Sequence, residues 1–172
     1  MLIQIGNIVE IVSGQHYNDF IRENIFVPLK MEDSGFVNEV TENDFFSAGL
    51  TYNTFKCGES ATGVTKGAGD IVTTAPDMDK WMTGLRSGKI ISKESLQEMT
   101  ADYSPDIGEN YGYGLQGMYK KGIGHSGRIG NYISLDYFND EYGYNLFVST
   151  SNAYTNKMLE LPNKLMDILV ES

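Results

Sequence analysis

Cysteine is almost absent from this sequence, since Cys57 is the single one in 172 residues. One thiol excludes an internal disulfide and cannot build a thiolate metal centre, so cysteine usage leaves the redox compartment open. The sequence also lacks any apolar run near the ~20 residues of a membrane-spanning helix, and no basic segment precedes its apolar start. Within these residues we therefore identify neither a membrane anchor nor a signal peptide, which says nothing about a longer parent chain.

Positive charge and histidine are also scarce. Lys and Arg number 13 against 23 Asp and Glu, which gives a net charge of -10 and a pI near 4.5. Nucleic acids and anionic lipids bind clustered Lys and Arg, so neither is expected as a partner. The two histidines, His16 and His125, are too few for an all-histidine zinc site. We expect no metal and no cofactor.

What the sequence does contain is enough apolar material for one folded domain over 1–172, because 41% of the residues are hydrophobic. A first helical stripe stops before Gly14, and its members are Ile5, Ile8, Val9 and Val12. A second stripe runs from Tyr17 to Ile25 and ends near Pro28. We expect both stripes to face the core. Because the helical spacing of apolar residues begins within the first few residues of the chain, we also expect part of the domain to lie upstream of it.

The middle of the chain combines an irregular stretch with two well-marked helices. Residues 30–67 have poor periodicity and scattered Gly, Asn, Asp and Thr, which predicts an irregular excursion. Thr74 is the predicted N-cap of a helix whose apolar stripe includes Trp81 as a core anchor, and Asp77 is expected to favour its dipole or to solvate the turn. Ser92 is the predicted N-cap of a short helix ending near Met99.

After Pro105 the pattern changes to aromatic and β-branched runs, which predict strands. Three strands are expected within 122–151, and a turn at 139–143 would make the last two antiparallel neighbours. An amphipathic helix over 156–171 closes the chain, with Pro162 tolerable only near its start or at a kink. This order predicts an α+β domain with an antiparallel sheet packed against helices.

The stretch GIGHSGRIGNYISL, from Gly122 to Leu135, sets a histidine and a serine between glycines just before an apolar run. A glycine-containing strand edge can pair with an extended substrate through its backbone, and its free N–H groups can point at a developing oxyanion. His125 and Ser126 would then orient a carboxylate or an amide. Taken alone, however, the tripeptide is more typical of a turn histidine held by a backbone carbonyl.

Four segments give this tripeptide a context. In chain order they are EIVSGQHYNDFIRENIFVPLKMEDSGF, GAGDIVTTAPDMDKWMTGLRSGK, YGYGLQ and GHSGRIGNYISL. Their order resembles, from end to end, the C-terminal part of the serine β-lactamase and penicillin-binding-protein-like hydrolases, which include class C β-lactamases, D,D-carboxypeptidases, esterases and D-aminopeptidases. The resemblance implies the C-terminal part of the β-lactamase/transpeptidase-like fold and cleavage of amide or ester bonds through an acyl-serine. It also implies an extracytoplasmic or cell-envelope location for the parent protein.

The resemblance assigns roles to four residues. His125, Ser126 and Gly127 would be the third motif of the family, equivalent to a Lys-Thr-Gly triplet, and the backbone N–H of Arg128 would be one of two oxyanion donors. The substrate would be a small molecule or a peptidoglycan-like compound. The guanidinium of Arg128 is expected at the surface.

Two motifs that the family mechanism needs are missing. No serine has a lysine three residues on, so the Ser-x-x-Lys nucleophile is absent. The Tyr-x-Asn triplets at 137–139 and 154–156 follow the His-Ser-Gly segment, whereas the family motif precedes the opening helix. Their position therefore excludes both as the family motif. We therefore expect a truncated chain that is inactive by itself.

Other interpretations stay open. The chain could be a non-catalytic binding or assembly module that keeps the fold, or Ser47 or Ser60 could act with His125 as base, although no nucleophile signature marks either serine. In the family fold the last strand pairs with a strand from the N-terminal part. We therefore expect the edge NLFVSTS to lie open, and we expect a homo-oligomer through that edge or through uncovered helices.

Overall fold

A computed structural model describes residues 3–37, 39, 66–107, 110–129, 132–150 and 157–171. Two compact units divide the chain, Met1–Asp77 and Met78–Ser172. Several candidate residues lie outside the described residues, namely Ser47, Cys57, Ser60, the triplet at 154–156 and most of the expected excursion at 30–67.

The described residues of the first unit are mainly helical. Its elements are α1 (Ile3–Ser13), α2 (Tyr17–Ile21), a π-helical turn (Arg22–Phe26), α3 (Val27–Leu29), β1 (Gly35–Phe36), β2 (Ile71–Val72) and the first turn of α4 (Ala75–Arg86). The left-handed backbone of Gly14, with φ of 71°, follows α1 directly, which confirms the predicted stop. Strands β1 and β2 pair antiparallel.

The core of the first unit forms around Phe36, which is fully buried. Tyr17 meets its ring edge-on, with centroids 5.9 Å apart, and Phe26 lies 5.6 Å away. Such aromatic contacts add to the free energy gained by burying apolar area. Tyr17 and Ile21 of the predicted second stripe are both buried, so this stripe faces the core, as predicted.

The apolar stripe of α1 behaves differently. Its residues Ile5, Ile8 and Val12 are 43%, 55% and 82% exposed. The expectation that this stripe faces the core is therefore wrong for the described residues. Helical spacing shows that a face is apolar, but it does not show which partner covers that face.

Asp77 fixes the start of α4 in a way that the sequence did not predict. Its side chain is fully buried, and its Oδ2 accepts hydrogen bonds from the backbone N–H of Asp33 at 2.9 Å and the hydroxyl of Ser34 at 2.8 Å. The N–H of Asp77 donates to the hydroxyl oxygen of Thr74 at 3.4 Å, which confirms Thr74 as the N-cap. Asp77 therefore ties the 33–34 loop to the helix start.

The second unit contains a four-stranded antiparallel sheet in the order β3-β4-β5-β6. Its elements are the remainder of α4, α5 (Lys93–Met99), a 3-10 turn (Pro105–Ile107), β3 (Gln116–Gly117), a 3-10 turn (Tyr119–Lys121), β4 (Ile123–Ile129), β5 (Tyr132–Asn139), β6 (Tyr144–Thr150) and α6 (Lys157–Glu171). The N–H of Ser95 donates to Ser92 Oγ at 3.1 Å, so Ser92 caps α5 as predicted. The 139–143 turn joins β5 to β6 as the expected hairpin.

Two apolar clusters cover opposite faces of this sheet. Phe138 packs on one face with Met82, Leu85 and Leu115, and Trp81 joins this cluster as the predicted core anchor. The neighbouring residue Tyr137 packs on the other face with Leu135 and Met166 of α6. Pro162 is buried within the first half of α6, so the helix continues past it. The fold is therefore α+β, as predicted.

Candidate functional site

The four predicted site residues are consecutive on β4. His125, Ser126, Gly127 and Arg128 lie opposite Asp136, Leu135, Ser134 and Ile133 of β5, respectively. Successive side chains of a strand point to opposite faces. The structure therefore puts His125 and Gly127 on the face of Phe138, and Ser126 on the face of Leu135.

The outer edge of β4 is only partly covered. Strand β3 pairs with Ile123 and Gly124, and among the described residues no strand pairs with that edge from Ser126 to Ile129. The carbonyl of Gly122 accepts a hydrogen bond from the N–H of Met118 at 2.7 Å, so even-numbered residues face β3. By alternation, the backbone N–H groups of Ser126 and Arg128 point out of the open edge.

The YGYG segment forms a tight turn beside this edge. The N–H of Gly112 donates to the carbonyl of Leu115 at 2.7 Å, and Gly114 has a left-handed φ of 75°. A Cβ on Gly112 would overlap the carbonyl oxygen of Met99. The two glycines therefore allow this segment to turn back sharply against the end of α5.

Tyr111 is the residue that this turn brings to the site. Its hydroxyl lies 2.7 Å from His125 Nε2, and the two rings meet edge to face with centroids 5.7 Å apart. The order of the sequence motifs marks the YGYG segment but gives Tyr111 no role. Spacing could not reveal this contact, because it depends on the turn that follows Tyr111.

Asp136 faces His125 directly across the β4–β5 ladder. Burial raises the pKa of Asp136 to about 6, and a hydrogen bond from its own backbone N–H offsets part of the increase. Directly opposed residues of an antiparallel pair have Cβ atoms roughly 5 Å apart. The site therefore holds a carboxyl group that changes charge near neutral pH beside an imidazole.

Gly124 allows β4 to approach β5 at the site. A Cβ at Gly124 would overlap the carbonyl oxygen of Asp136 and the side chain of Tyr137. Gly127 is different, because its nearest obstacle is Ser134 Oγ at 3.3 Å and it is exposed. Gly124 allows close packing of β4 on β5, whereas Gly127 leaves space on the sheet face beside the open edge.

Other predicted candidates fall outside this site. The side chain of His16 is 57% exposed and lies 3.7 Å from Glu10. The triplet at 137–139 is buried in β5, where Asn139 Nδ2 donates to the carbonyl of Lys120 at 2.7 Å, a structural contact. Within the described ranges, no group of three or more His, Cys, Asp or Glu could hold a metal ion, and no helix is long and apolar enough to cross a membrane.

The chain belongs to the Beta-lactamase family, whose model matches residues 4–171. The resemblance seen in the four ordered segments is therefore confirmed. It also agrees with the sheet and helix arrangement of the described residues.

Individual relatives show the same relationship. The teichoic acid D-alanine hydrolase of Staphylococcus aureus strain MRSA252 is 24% identical over 98% of this chain and 42% of its own length. The crystal structure of D-amino acid amidase from Ochrobactrum anthropi SV3 matches with a TM-score of 0.73 and 27% identity, over 96% of this chain and 54% of that one. An octameric penicillin-binding protein homologue from Pyrococcus abyssi matches with a TM-score of 0.71 and 24% identity, over 95% and 40%. The chain thus spans about half or less of the relatives it matches.

Proposed function

We propose that this chain forms one wall of the active site of a serine hydrolase that cleaves amide or ester bonds through an acyl-serine. The observation that carries the proposal is the open edge of β4, where the backbone N–H groups of Ser126 and Arg128 point outward beside the exposed Gly127. An acyl group lying along this edge would pair with Ser126, while the N–H of Arg128 donates to the developing oxyanion.

The remaining chemistry would come from a segment that precedes this chain. A Ser-x-x-Lys motif would supply the nucleophile and the lysine that activates it, and a Tyr-x-Asn motif would supply the proton shuttle. This chain contains no Ser-x-x-Lys. The two relatives with hydrolase or amidase names are both longer than this chain, which supports such a division of the site.

Although Arg128 adds one cation on β4, the acidic segment before Tyr111 favours a substrate with a free amine over one with a free carboxylate. Between Lys93 and Lys120 the chain has no basic residue, and its carboxylates there are Glu94, Glu98, Asp102, Asp106 and Glu109. The N–H of Tyr103 donates to the carbonyl of Tyr111 at 3.0 Å, so this acidic segment is joined to the residue that contacts His125. A negative field attracts an ammonium group and repels a carboxylate. The names of the two relatives agree, since both refer to D-amino acid derivatives.

A second candidate is a binding or assembly module without chemistry, which would need no Ser-x-x-Lys motif. Both candidates are compatible with pairing between chains along β6, which has no strand partner on its outer edge among the described residues. One relative of the same fold is octameric. We propose that this chain forms a homo-oligomer by pairing along the outer edge of β6.

Intact-mass spectrometry after incubation with a fluorophosphonate, and separately with a penicillin, tests the proposal. The chain alone should gain no covalent adduct, and a longer polypeptide with a preceding Ser-x-x-Lys segment should gain one stoichiometric adduct on that serine. The Ser126→Ala variant of both proteins is the matched control and should give the same result. An adduct on the chain alone would refute the division of the site. A longer polypeptide that binds a D-amino acid amide but never forms an adduct would favour the module.

A further inference from the structure

We infer that Tyr111 is a positioning residue that fixes the tautomer of His125, so that the imidazole presents its Nδ1–H, and not a basic nitrogen, to a ligand at the open edge of β4. The contact that supports this inference is short. The Tyr111 hydroxyl lies 2.7 Å from His125 Nε2, within the range of a good hydrogen bond. The edge-to-face arrangement of the rings, at 80°, keeps both side chains in place.

The direction of this hydrogen bond follows from the acidity of the two groups. A neutral imidazole has one N–H donor and one lone-pair acceptor, whereas a phenol can do either. The phenol O–H is the more acidic donor, and the bare imidazole nitrogen is the more basic acceptor. Tyr111 therefore donates and His125 Nε2 accepts. The single ring proton of neutral His125 must then reside on Nδ1.

Tyr111 is held firmly enough to impose this choice. Its carbonyl accepts from the N–H of Tyr103 at 3.0 Å, and its backbone forms a bridge to Gln116. The tight turn at Gly112 comes directly after it. The backbone is thus fixed on both sides of Tyr111, and the edge-to-face contact with the His125 ring restricts the tyrosine side chain, so ordering the hydroxyl costs little further entropy.

The consequence concerns the role of His125, and this part rests on the proposed function. In the part of the chain that the structure describes, Tyr111 is the only residue that hydrogen-bonds to the His125 ring. With Nε2 occupied, His125 offers a donor, which suits a carbonyl oxygen or another acceptor oxygen of the acyl substrate. It does not suit the role of general base for a local serine, since a base needs a free lone pair facing the nucleophile.

Nitrogen NMR of histidine side chains tests the inference without any catalysis. The chain has two histidines, so the ¹⁵N-labelled protein gives two ring systems, and the exposed His16 serves as the internal reference. At a pH where both rings are neutral, His125 should be predominantly Nδ1–H, while His16 should show the Nε2–H form that prevails in free histidine. The Tyr111→Phe variant keeps the ring and removes the hydroxyl, so the His125 tautomer ratio should move toward Nε2–H by about tenfold.

The matched control is Tyr113→Phe, which removes the hydroxyl of an exposed tyrosine two residues away and should leave His125 unchanged. A predominantly Nε2–H His125 in the unaltered chain would overturn the inference, as would an unchanged ratio in a folded Tyr111→Phe variant. The spectrum of the unaltered chain decides the question even where the variant fails to fold. If the tautomer is as expected and no longer polypeptide shows hydrolysis, the proposed function fails while the positioning role of Tyr111 stands.

Discussion

The Asp77 carboxylate and the Ser34 hydroxyl form a hydrogen bond of 2.8 Å that joins the start of α4 to a loop 43 residues earlier in the chain. Asp77 is fully buried and also accepts from the N–H of Asp33. Replacing it with alanine would leave these donors without their acceptor. We expect Asp77→Ala to lower the free energy of unfolding by about 3 kcal/mol in urea denaturation.

Two further variants make this prediction specific. Asp77→Asn retains one acceptor oxygen and should recover part of the loss. Asp19→Ala removes an exposed carboxylate that lies 4.0 Å from Arg22, and it should change stability by less than about 0.5 kcal/mol. Equal effects of Asp77→Ala and Asp19→Ala would show that the buried hydrogen bonds contribute nothing.

The glycines of β4 should respond differently to an added methyl group. A Cβ at Gly124 would overlap the Asp136 carbonyl oxygen and the Tyr137 side chain. We expect Gly124→Ala to cost about 3 kcal/mol of stability, or to prevent folding, because the two strands would have to separate. Thermal unfolding followed by circular dichroism measures this loss.

Gly127→Ala is the matched comparison, because its Cβ would meet only Ser134 Oγ at 3.3 Å. We expect it to fold with a stability loss below about 1 kcal/mol. In a longer polypeptide that carries the nucleophile, the same variant should lose most activity, because the methyl group would occupy the face of the sheet on which His125 lies, next to the open edge. Full activity of Gly127→Ala would exclude this edge as the substrate position.

Asp136 should make stability depend on pH in an identifiable direction. Burial raises its pKa to about 6, whereas the unfolded chain releases the proton near pH ~4. Since the folded state binds the proton more tightly, ionised Asp136 destabilises the fold at neutral pH by up to about 3 kcal/mol, and this cost disappears as the pH falls from 6 to 4. Asp136→Asn should therefore stabilise the protein at pH ~8 and have no effect below pH ~4.

Urea denaturation at several pH values measures the effect of Asp136→Asn. The control is Asp106→Asn, which removes an exposed carboxylate of the same unit and should change stability by less than about 0.5 kcal/mol. A gain in Asp136→Asn that stays constant from acid to neutral pH would contradict the titration of a buried carboxyl group.

The elements that sequence predicted correctly are those set by local chemistry. Thr74 and Ser92 cap helices because a hydroxyl oxygen can accept from an N–H three residues on, and that spacing is visible in the sequence. The β5–β6 hairpin follows from the turn residues between two β-branched runs. The prediction that the α1 stripe faces the core was wrong because periodicity shows that a helix face is apolar but not which residues cover it.

The same difference between local features and long-range contacts applies to the site. The His125-Ser126-Gly127 segment could be identified from its composition and from the order of the motifs around it. The contact between Tyr111 and His125, and the burial of Asp136, could not, because both depend on how separate segments come together. A hydrogen bond between residues distant in sequence has no pattern that spacing can reveal.

The charge of the substrate provides another prediction. Tyr103 donates its hydroxyl to the carbonyl of Glu98 at 3.2 Å, which keeps Glu98 and the neighbouring Asp102 close to the segment that contacts His125. In an active longer polypeptide, kcat/KM should be higher for a D-amino acid amide with a free amine than for its N-acetyl form. Glu98→Gln combined with Asp102→Asn should reduce this preference roughly threefold, as expected for exposed charges, and added salt should do the same. Equal kcat/KM values for the free-amine and N-acetyl amides in the unaltered protein would contradict the electrostatic argument.

The outer edge of β6 gives a test of self-association that does not depend on catalysis. The carbonyl of Asn139 accepts from Gly143 across the hairpin at 2.9 Å, so Asn139 faces β6, and Tyr144 and every second residue after it pair with β5. By alternation the N–H of Ser149 points outward.

Ser149→Pro removes that outward donor without breaking a ladder hydrogen bond, so it should convert an edge-paired oligomer to a monomer. Val148→Pro removes an inward donor and should instead destabilise the fold. Light scattering after size-exclusion chromatography, at several micromolar concentrations, measures the mass. If the unaltered chain is monomeric throughout, or if Ser149→Pro stays oligomeric, the edge of β6 is not the contact.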